Sequence, residues 1–433
     1  MTIIIQLILI VGCAKATGLL FRRLGQPQVC GEIAAGIILG PSLFGALWPH
    51  AQRMVFSPSA SDHLTVLSEV GLIFIMFIIG LEFDFSHLAT STRAVFLVST
   101  AGILVPFLLG VPLGRWIYFQ MGLNVNKVGF TLFVATALSM TAVPVLGRIV
   151  VEFNLGKSRL AALAIGAAAM DDAVGWLLLA LVSDLVVARF QPTRILVSAA
   201  GVAIYLLAMI FLVRPLLKRW THWAMSKSGH ELPPAALAQL IIMFFASAAV
   251  TSAIGIFPVF GAFVMGAVLH DQKALCEAVG RQMRDFVTVF FLPVFFTFTG
   301  LRTDISSLDG KAGLLAGVVI LVAATGKFGG CSVAARLGGL SWRESFSIGA
   351  MMNTRGLVDL VVLNTGYDLG IIPKPVFSIF VVMVLFSTYM TAPALRRLIR
   401  GTELQAQFEV STFMEGRASP AGGEAAQRGT VVA

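Results

Sequence analysis

Asp171 and Asp172 stand side by side near the centre of LAALAIGAAAMDDAVGWLLLALV, residues 160–182, a stretch otherwise free of charge. An acid at the centre of a bilayer costs on the order of 3 kcal/mol on insertion scales, so such residues persist only for a reason. A carboxylate in apolar surroundings is neutralised equally well by a proton or by a dehydrated alkali cation. Competition of the two for one carboxylate is the minimal chemistry of cation/proton exchange. Successive helical residues lie about 100° apart, so the two acids face different neighbours and have different jobs. The small residues around them, Gly166 to Ala169, Ala173 and Gly175, let another backbone approach closely.

A second charge lies in GLLAGVVILVAATGKFGGCSVAARL, where Lys327 is flanked by Gly326, Gly329 and Gly330. Burial disfavours its ammonium form and a nearby carboxylate favours it, and the two opposed effects make a proton-releasing switch. Two further segments are apolar but interrupted. In GFTLFVATALSMTAVPVLGRIV, Pro144 removes a backbone donor, so the helix is expected to open from Ser139 through Thr141 to Pro144. In SIGAMMNTRGLVDLVVLN the polar run Asn353, Thr354, Arg355 and Gly356 marks the corresponding break. Non-helical backbone at membrane depth is tolerated only where it is buried in protein or lines a watery cavity, so the breaks point to one central site. Each is followed by an Arg with an acid four residues on, Arg148 with Glu152 and Arg355 with Asp359, a spacing that puts both on one helical face. These pairs read as mutual neutralisation that supports the crossing helices.

The elements that must hold these residues are helices in a membrane. Hydrophobic residues make up 57% of the 433 and charged ones only 12%, about half the share of a soluble domain. Windows of about 19 residues give candidate spans at 2–20, 28–47, 63–81, 94–118, 129–151, 160–183, 195–217, 236–254, 257–270, 285–301, 312–336, 344–366 and 376–395. The net charge of +9 does not indicate nucleic acid, because the basic residues are spread over loops. One set of loops, with Arg214, Lys218, Arg219, Arg396 and Arg397, holds about twice as many Lys and Arg as the other, with Arg302, Lys311 and Lys374. The positive-inside rule then puts the N-terminus outside and the C-terminus in the cytoplasm of a bacterial-type inner membrane. Cys13, Cys30, Cys276 and Cys331 form no CxxC pair or Cys/His cluster, and the first residues lack the basic flank and cleavage site of a signal peptide. Residues 1–400 read as one transmembrane unit and 401–433, rich in Gly, Ala and Ser, as a disordered tail.

Three pairs of segments match in order between the halves. GEIAAGIIL at 31–39 resembles GAFVMGAVL at 261–269; GLEFDFSHL at 80–88 resembles GLRTDISSL at 300–308; and the two interrupted segments end in NLG and DLG. An odd offset in span number makes the repeats inverted, a recurrent design of secondary transporters with the substrate site at the midplane. The expected class is therefore an all-α polytopic membrane protein of about thirteen helices, with an inverted repeat and two interrupted crossing helices.

GEIAAGIILGPSLFG, AMDDAVGW, LPVFFTFTGLRTD and MNTRGLVDLVVLNTGYDLG together resemble the monovalent cation:proton antiporter-2 family, within the wider group of Na⁺/H⁺ antiporters, over residues 31 to 370. The resemblance implies a homodimer in which a core domain moves against an interleaved dimerisation domain, with no cofactor. It implies Asp172 as the principal ion and proton carboxylate, Asp171 as the acid paired with Lys327, and Thr141, beside Ser139, at the unwound crossing. An Asp-Asp pair with a membrane Lys is similar to the electrogenic members. The rival classes are weaker. A channel usually repeats its charges by symmetry. An intramembrane aspartyl protease needs acids on two facing helices, and no HExxH, GxSxG or phosphate loop is present.

Overall fold

The computed structural model describes residues 2–56, 58–82, 93–152, 155, 158–187, 192–226, 232–254, 258–306, 308 and 310–399. Among them no strand occurs. With no water to satisfy backbone groups in hydrocarbon, an apolar window takes the form of a helix, interrupted only where protein meets the freed backbone groups. Among the described residues nine helices are long and apolar enough to cross a membrane by themselves, and two bent pairs, 273–284 with 287–302 and 342–352 with 357–368, pass together. Two shorter apolar helices, Lys127–Ser139 and Pro258–Leu269, occupy the remaining expected windows.

The helices used below are α1 (Thr2–Arg23), α2 (Gln28–Leu39), α3 (Pro58–Glu82), α4 (Arg93–Gln120), α5 (Lys127–Ser139), α6 (Val143–Glu152), α7 (Arg159–Val187), α8 (Pro192–Ala208), α9 (Arg214–Ser226), α10 (Pro234–Ile254), α11 (Pro258–Leu269), α12 (Leu292–Arg302), α13 (Gly310–Leu337), α14 (Trp342–Met352), α15 (Leu357–Asp368) and α16 (Lys374–Leu398). They pack as two bundles. One contains α1 to α3 and α10 to α12; the other contains α4 to α7 and α13 to α16, while α8 and α9 link them.

The glycine spacing of the repeat has a packing cause. A Cβ on Gly36 of α2 would overlap the Thr297 carbonyl and the Gly300 Cα of α12, and one on Gly266 of α11 would overlap the Phe77 carbonyl beside Gly80 of α3. Gly36 and Gly266 are equivalent in the repeat, as are Gly80 and Gly300. The same close backbone crossing is thus made twice, each time between a helix of one inverted copy and a helix of the other, and only residues without a side chain permit it.

Both interrupted segments open. α5 ends at Ser139, and after the non-helical residues 140–142 the chain resumes as α6 with Pro144 in its first turn, where an amide has no intrahelical partner anyway. α14 and α15 meet at a 41° bend through 353–356. The breaks lie against each other: Ala142 N–H donates to the Thr354 carbonyl at 3.2 Å. From α16, the Thr388 hydroxyl donates to the Arg355 carbonyl at 2.6 Å and accepts from the Arg355 N–H at 3.2 Å, pinning the second break.

Candidate functional site

Breaking a helix strands the carbonyls of its last turn, and these must be met by something other than the next turn. Arg355 meets two of them. Its guanidinium donates to the carbonyls of Ala137 (Nη1, 2.9 Å) and Leu138 (Nη2, 2.7 Å) at the end of α5, and to Asp359 Oδ1 at 2.8 Å. Asp359 Oδ2 in turn accepts the Gly356 N–H at 2.9 Å, capping the start of α15. A cation thus sits at a helix C-terminus and an anion at a helix N-terminus, both signs matching the helix dipoles. Arg355 and Asp359 are fully buried. The side chains of Arg148 and Glu152 lie outside the described residues.

Lys327 meets the third stranded carbonyl. Its segment of α13, Thr325–Gly329, is wound as a π-helical turn, a local widening frequent at functional sites. The Nζ donates to the Ser139 carbonyl at 2.6 Å, to the Gly102 carbonyl of α4 at 2.7 Å and to Asp171 Oδ2 at 2.8 Å. Three donors meet three acceptors, which is the full capacity of an ammonium. Thr141, in the break, donates its hydroxyl to the same Asp171 Oδ2 at 2.8 Å, and Ser99 of α4 is a further hydrogen-bond partner of that carboxylate. The Ser139 hydroxyl is turned back onto its own helix, donating to the Thr136 carbonyl at 2.8 Å.

Asp172 is different. It is 1% exposed, and neither carboxylate oxygen has a hydrogen-bond partner among the described residues. The charges acting on it are Asp171, Asp359 and Lys327, two of them of its own sign. It lies one turn from Gly175, where the absent Cβ leaves room for the Met140 side chain of the break. An unpaired carboxylate in such a place costs several kcal/mol as a bare anion. It is stable there only with a proton or a cation. Asp171 Oδ1 is likewise without a partner among the described residues, so three oxygens of the pair remain unpartnered there.

Among the described residues two cavities open between the bundles, and the acid pair lines neither of them. One of about 190 Å³ is bounded by Glu69 of α3, Phe298 and Arg302 of α12, and Val361, Asn364 and Asp368 of α15. The other, of about 260 Å³, is bounded by Ile78 and Ile79 of α3, Arg284, Phe296, Val145 of α6 and Leu357. They reach α15 one helical turn apart, at Val361 and Leu357. The first is crossed by polar contacts: Arg302 bonds Asp368 and Asn364, each at 2.9 Å, and the Asn364 amide donates to Thr299 at 3.0 Å. At the same end Lys374 Nζ lies 3.3 Å from Asp304, and the Asp304 N–H donates to Ser378 at 2.9 Å.

Sequence reasoning singled out Asp171, Asp172, Lys327, Thr141 and Ser139, which the structure brings to one place, and Arg355 with Asp359, which stand behind it. It passed over Ser99, Gly102 and Thr388. A glycine and two hydroxyl residues in apolar helices carry no periodic or charge signal, and only the packing shows where they face.

Residues 7–400 match the family model described as sodium/hydrogen exchanger, transmembrane. The chain is similar to the Na⁺/H⁺ antiporter NhaS4 of Synechocystis, at 37% identity over 90% of this chain and 95% of that one. It is similar to the K⁺/H⁺ antiporter 1 of Saccharomyces cerevisiae at 32% identity over 86% of this chain, but spans only 43% of that protein's length. Among solved structures, the sodium proton antiporter MjNhaP1 of Methanocaldococcus jannaschii at pH 8 superposes with a TM-score of 0.62 over 94% of this chain and 98% of that one, at 18% identity.

Proposed function

We propose, from the premise that this chain belongs to the sodium/hydrogen exchanger family and is a multi-pass cation/proton antiporter, that Asp172 is the carboxylate at which a monovalent cation and a proton replace each other. The observation that carries this reading is the partnerless, buried carboxylate of Asp172 at the crossing of two broken helices. Either ligand neutralises it and the two exclude one another, so exchange follows from one site without a second binding pocket. Na⁺ is the cation we assign first, with K⁺ and Li⁺ as the alternatives to be separated ion by ion.

Asp171 has a second role. Its Oδ2 is held by Lys327 and Thr141 while Oδ1 is free to share a cation with Asp172. A cation that draws on Asp171 weakens the hold on the Lys327 ammonium, which then gives up its proton. Release from both Asp172 and Lys327 against one cation makes the exchange electrogenic. The two cavities, one helical turn apart on α15, support alternating access in which the bundle bearing the site slides against the other. We assign the face holding Asp368 and Arg302 to the outside and the C-terminus to the cytoplasm, from the distribution of basic residues. A homodimer formed through the bundle of α1 to α3 and α10 to α12 completes the proposal.

Inside-out vesicles preloaded with acid test it. Addition of Na⁺, Li⁺ or K⁺ should collapse the pH gradient with a saturating dependence on the cation, and Asp172→Asn should abolish the response. A cation conductance that persists without a proton gradient would instead identify a channel.

A further inference from the structure

Among the partners of Lys327, the Gly102 carbonyl is the unexpected one. It lies inside the continuous helix α4, where every carbonyl is normally taken by the amide four residues on. The residue four positions after Gly102 is Pro106, which has no amide N–H. The Gly102 carbonyl is therefore left unpaired by its own helix, and the Lys327 Nζ occupies it at 2.7 Å. Proline also pushes its ring against the carbonyl four residues back, opening the ladder at the point where a side chain can insert.

Two glycines make the insertion sterically possible. A Cβ on Gly102 would lie 3.0 Å from Asp171 Oδ2 and 3.5 Å from Lys327 Nζ, and one on Gly326 would lie 3.2 Å from the Pro106 Cα. Pro106 thus packs directly over the π-helical turn that carries Lys327. Ser139 offers its carbonyl because its helix stops; Gly102 offers one because a proline is built into a helix that does not stop. Two different devices supply the same thing, a carbonyl aimed at the ammonium.

We infer that Pro106 is a positioning residue for the exchange: by withholding a backbone N–H it dedicates the Gly102 carbonyl to the Lys327 ammonium and so fixes where Lys327 stands against Asp171. The functional consequence rests on the exchange reading above, whereas the coupling of Pro106 to Lys327 does not. Pro106→Ala and Pro106→Val both restore the N–H but differ in bulk over Gly326. An amide at position 106 competes with Nζ for the carbonyl, and the third contact of the ammonium is weakened.

A thermal melting cycle on the detergent-solubilised full chain tests the coupling without reference to transport. Pro106→Ala should raise the melting temperature more in a Lys327→Met background, where the restored helix bond displaces nothing, than in the parent. Equal changes in the two backgrounds overturn the inference and leave the exchange reading intact. The pH profile of cation-driven proton flux in proteoliposomes is the second readout. Pro106→Ala and Pro106→Val should shift it in the same direction and by similar amounts, because the shift follows the N–H. An unmoved profile, or shifts that follow side-chain volume, would overturn it. Failure of the exchange reading shows itself separately, as flux that Asp172→Asn does not abolish.

Discussion

Replacing Arg355 by Met should be among the most damaging substitutions in the protein. The guanidinium is fully buried and makes three hydrogen bonds, to Asp359 and to the carbonyls of Ala137 and Leu138. Removing one partner of a buried ion pair costs about 3–5 kcal/mol, because the other charge is left uncompensated. Each stranded carbonyl adds about 1 kcal/mol or more. A loss of about 5–7 kcal/mol is comparable to the whole stability of many folded domains. Arg355→Met is therefore expected to accumulate poorly and to melt far below the parent in scanning fluorimetry of the solubilised protein. The pair Arg355→Met with Asp359→Asn should recover much of the loss. Its buried charge is gone and the Asn oxygen still accepts the Gly356 N–H, so only neutral groups, the two carbonyls and the Asn amide N–H, remain unmet. A single variant that melts with the parent, or a double variant no better than the single, would refute the account of Arg355 as the cation that closes the broken end of α5.

Lys327→Met leaves Asp171 with only the hydroxyls of Thr141 and Ser99 and no cation beside it, and burial then neutralises the acid by protonation. Transport currents on a solid-supported membrane should fall to those of electroneutral exchange or vanish; full current with unchanged stoichiometry would contradict the proton-releasing role. Arg302→Gln removes the contact that ties α12 to Asp368 across the smaller cavity. A cysteine placed at Val361 should then react faster with a thiol reagent applied from the outside, and an unchanged rate would deny that this contact closes that face. Asp271, between α11 and the following helix, is raised by partial burial but held well below the usual carboxylate range by Lys218, Gln272 and Arg214. A depressed folded value stabilises above the unfolded value and is lost as pH falls through the folded one. The small melting deficit of Asp271→Asn should therefore stay constant from pH 8 to pH 5, and a deficit that disappears within that window would rule out the ion pair as its cause.

What the residues reveal by themselves has a physical boundary. Asp171, Asp172 and Lys327 are conspicuous because a charge in hydrocarbon is costly, and Pro144 and the run Asn353 to Gly356 because helices cannot continue through them unaided. The Gly pattern of 31–39 and 261–269 was visible as repetition, but its cause, the crossings of Gly36 on Gly300 and Gly266 on Gly80, is a matter of which backbones meet. Spacing also paired Arg355 with Asp359, yet gave no hint that the guanidinium reaches back to α5. The π-helical turn under Lys327 and the role of Gly102 escaped altogether, since both arise from the fit of α13 against α4 and not from any local preference.

The central claim is that one carboxylate, Asp172, holds either the cation or the proton. It is tested most directly by titrating the purified, solubilised protein with Na⁺, Li⁺ or K⁺ in weakly buffered solution and measuring protons released as the cation binds. The account predicts saturable release in the parent that disappears in Asp172→Asn and becomes half-saturated at higher cation concentration as the pH is lowered. Undiminished proton release from Asp172→Asn, or cation binding that is indifferent to pH, would contradict it.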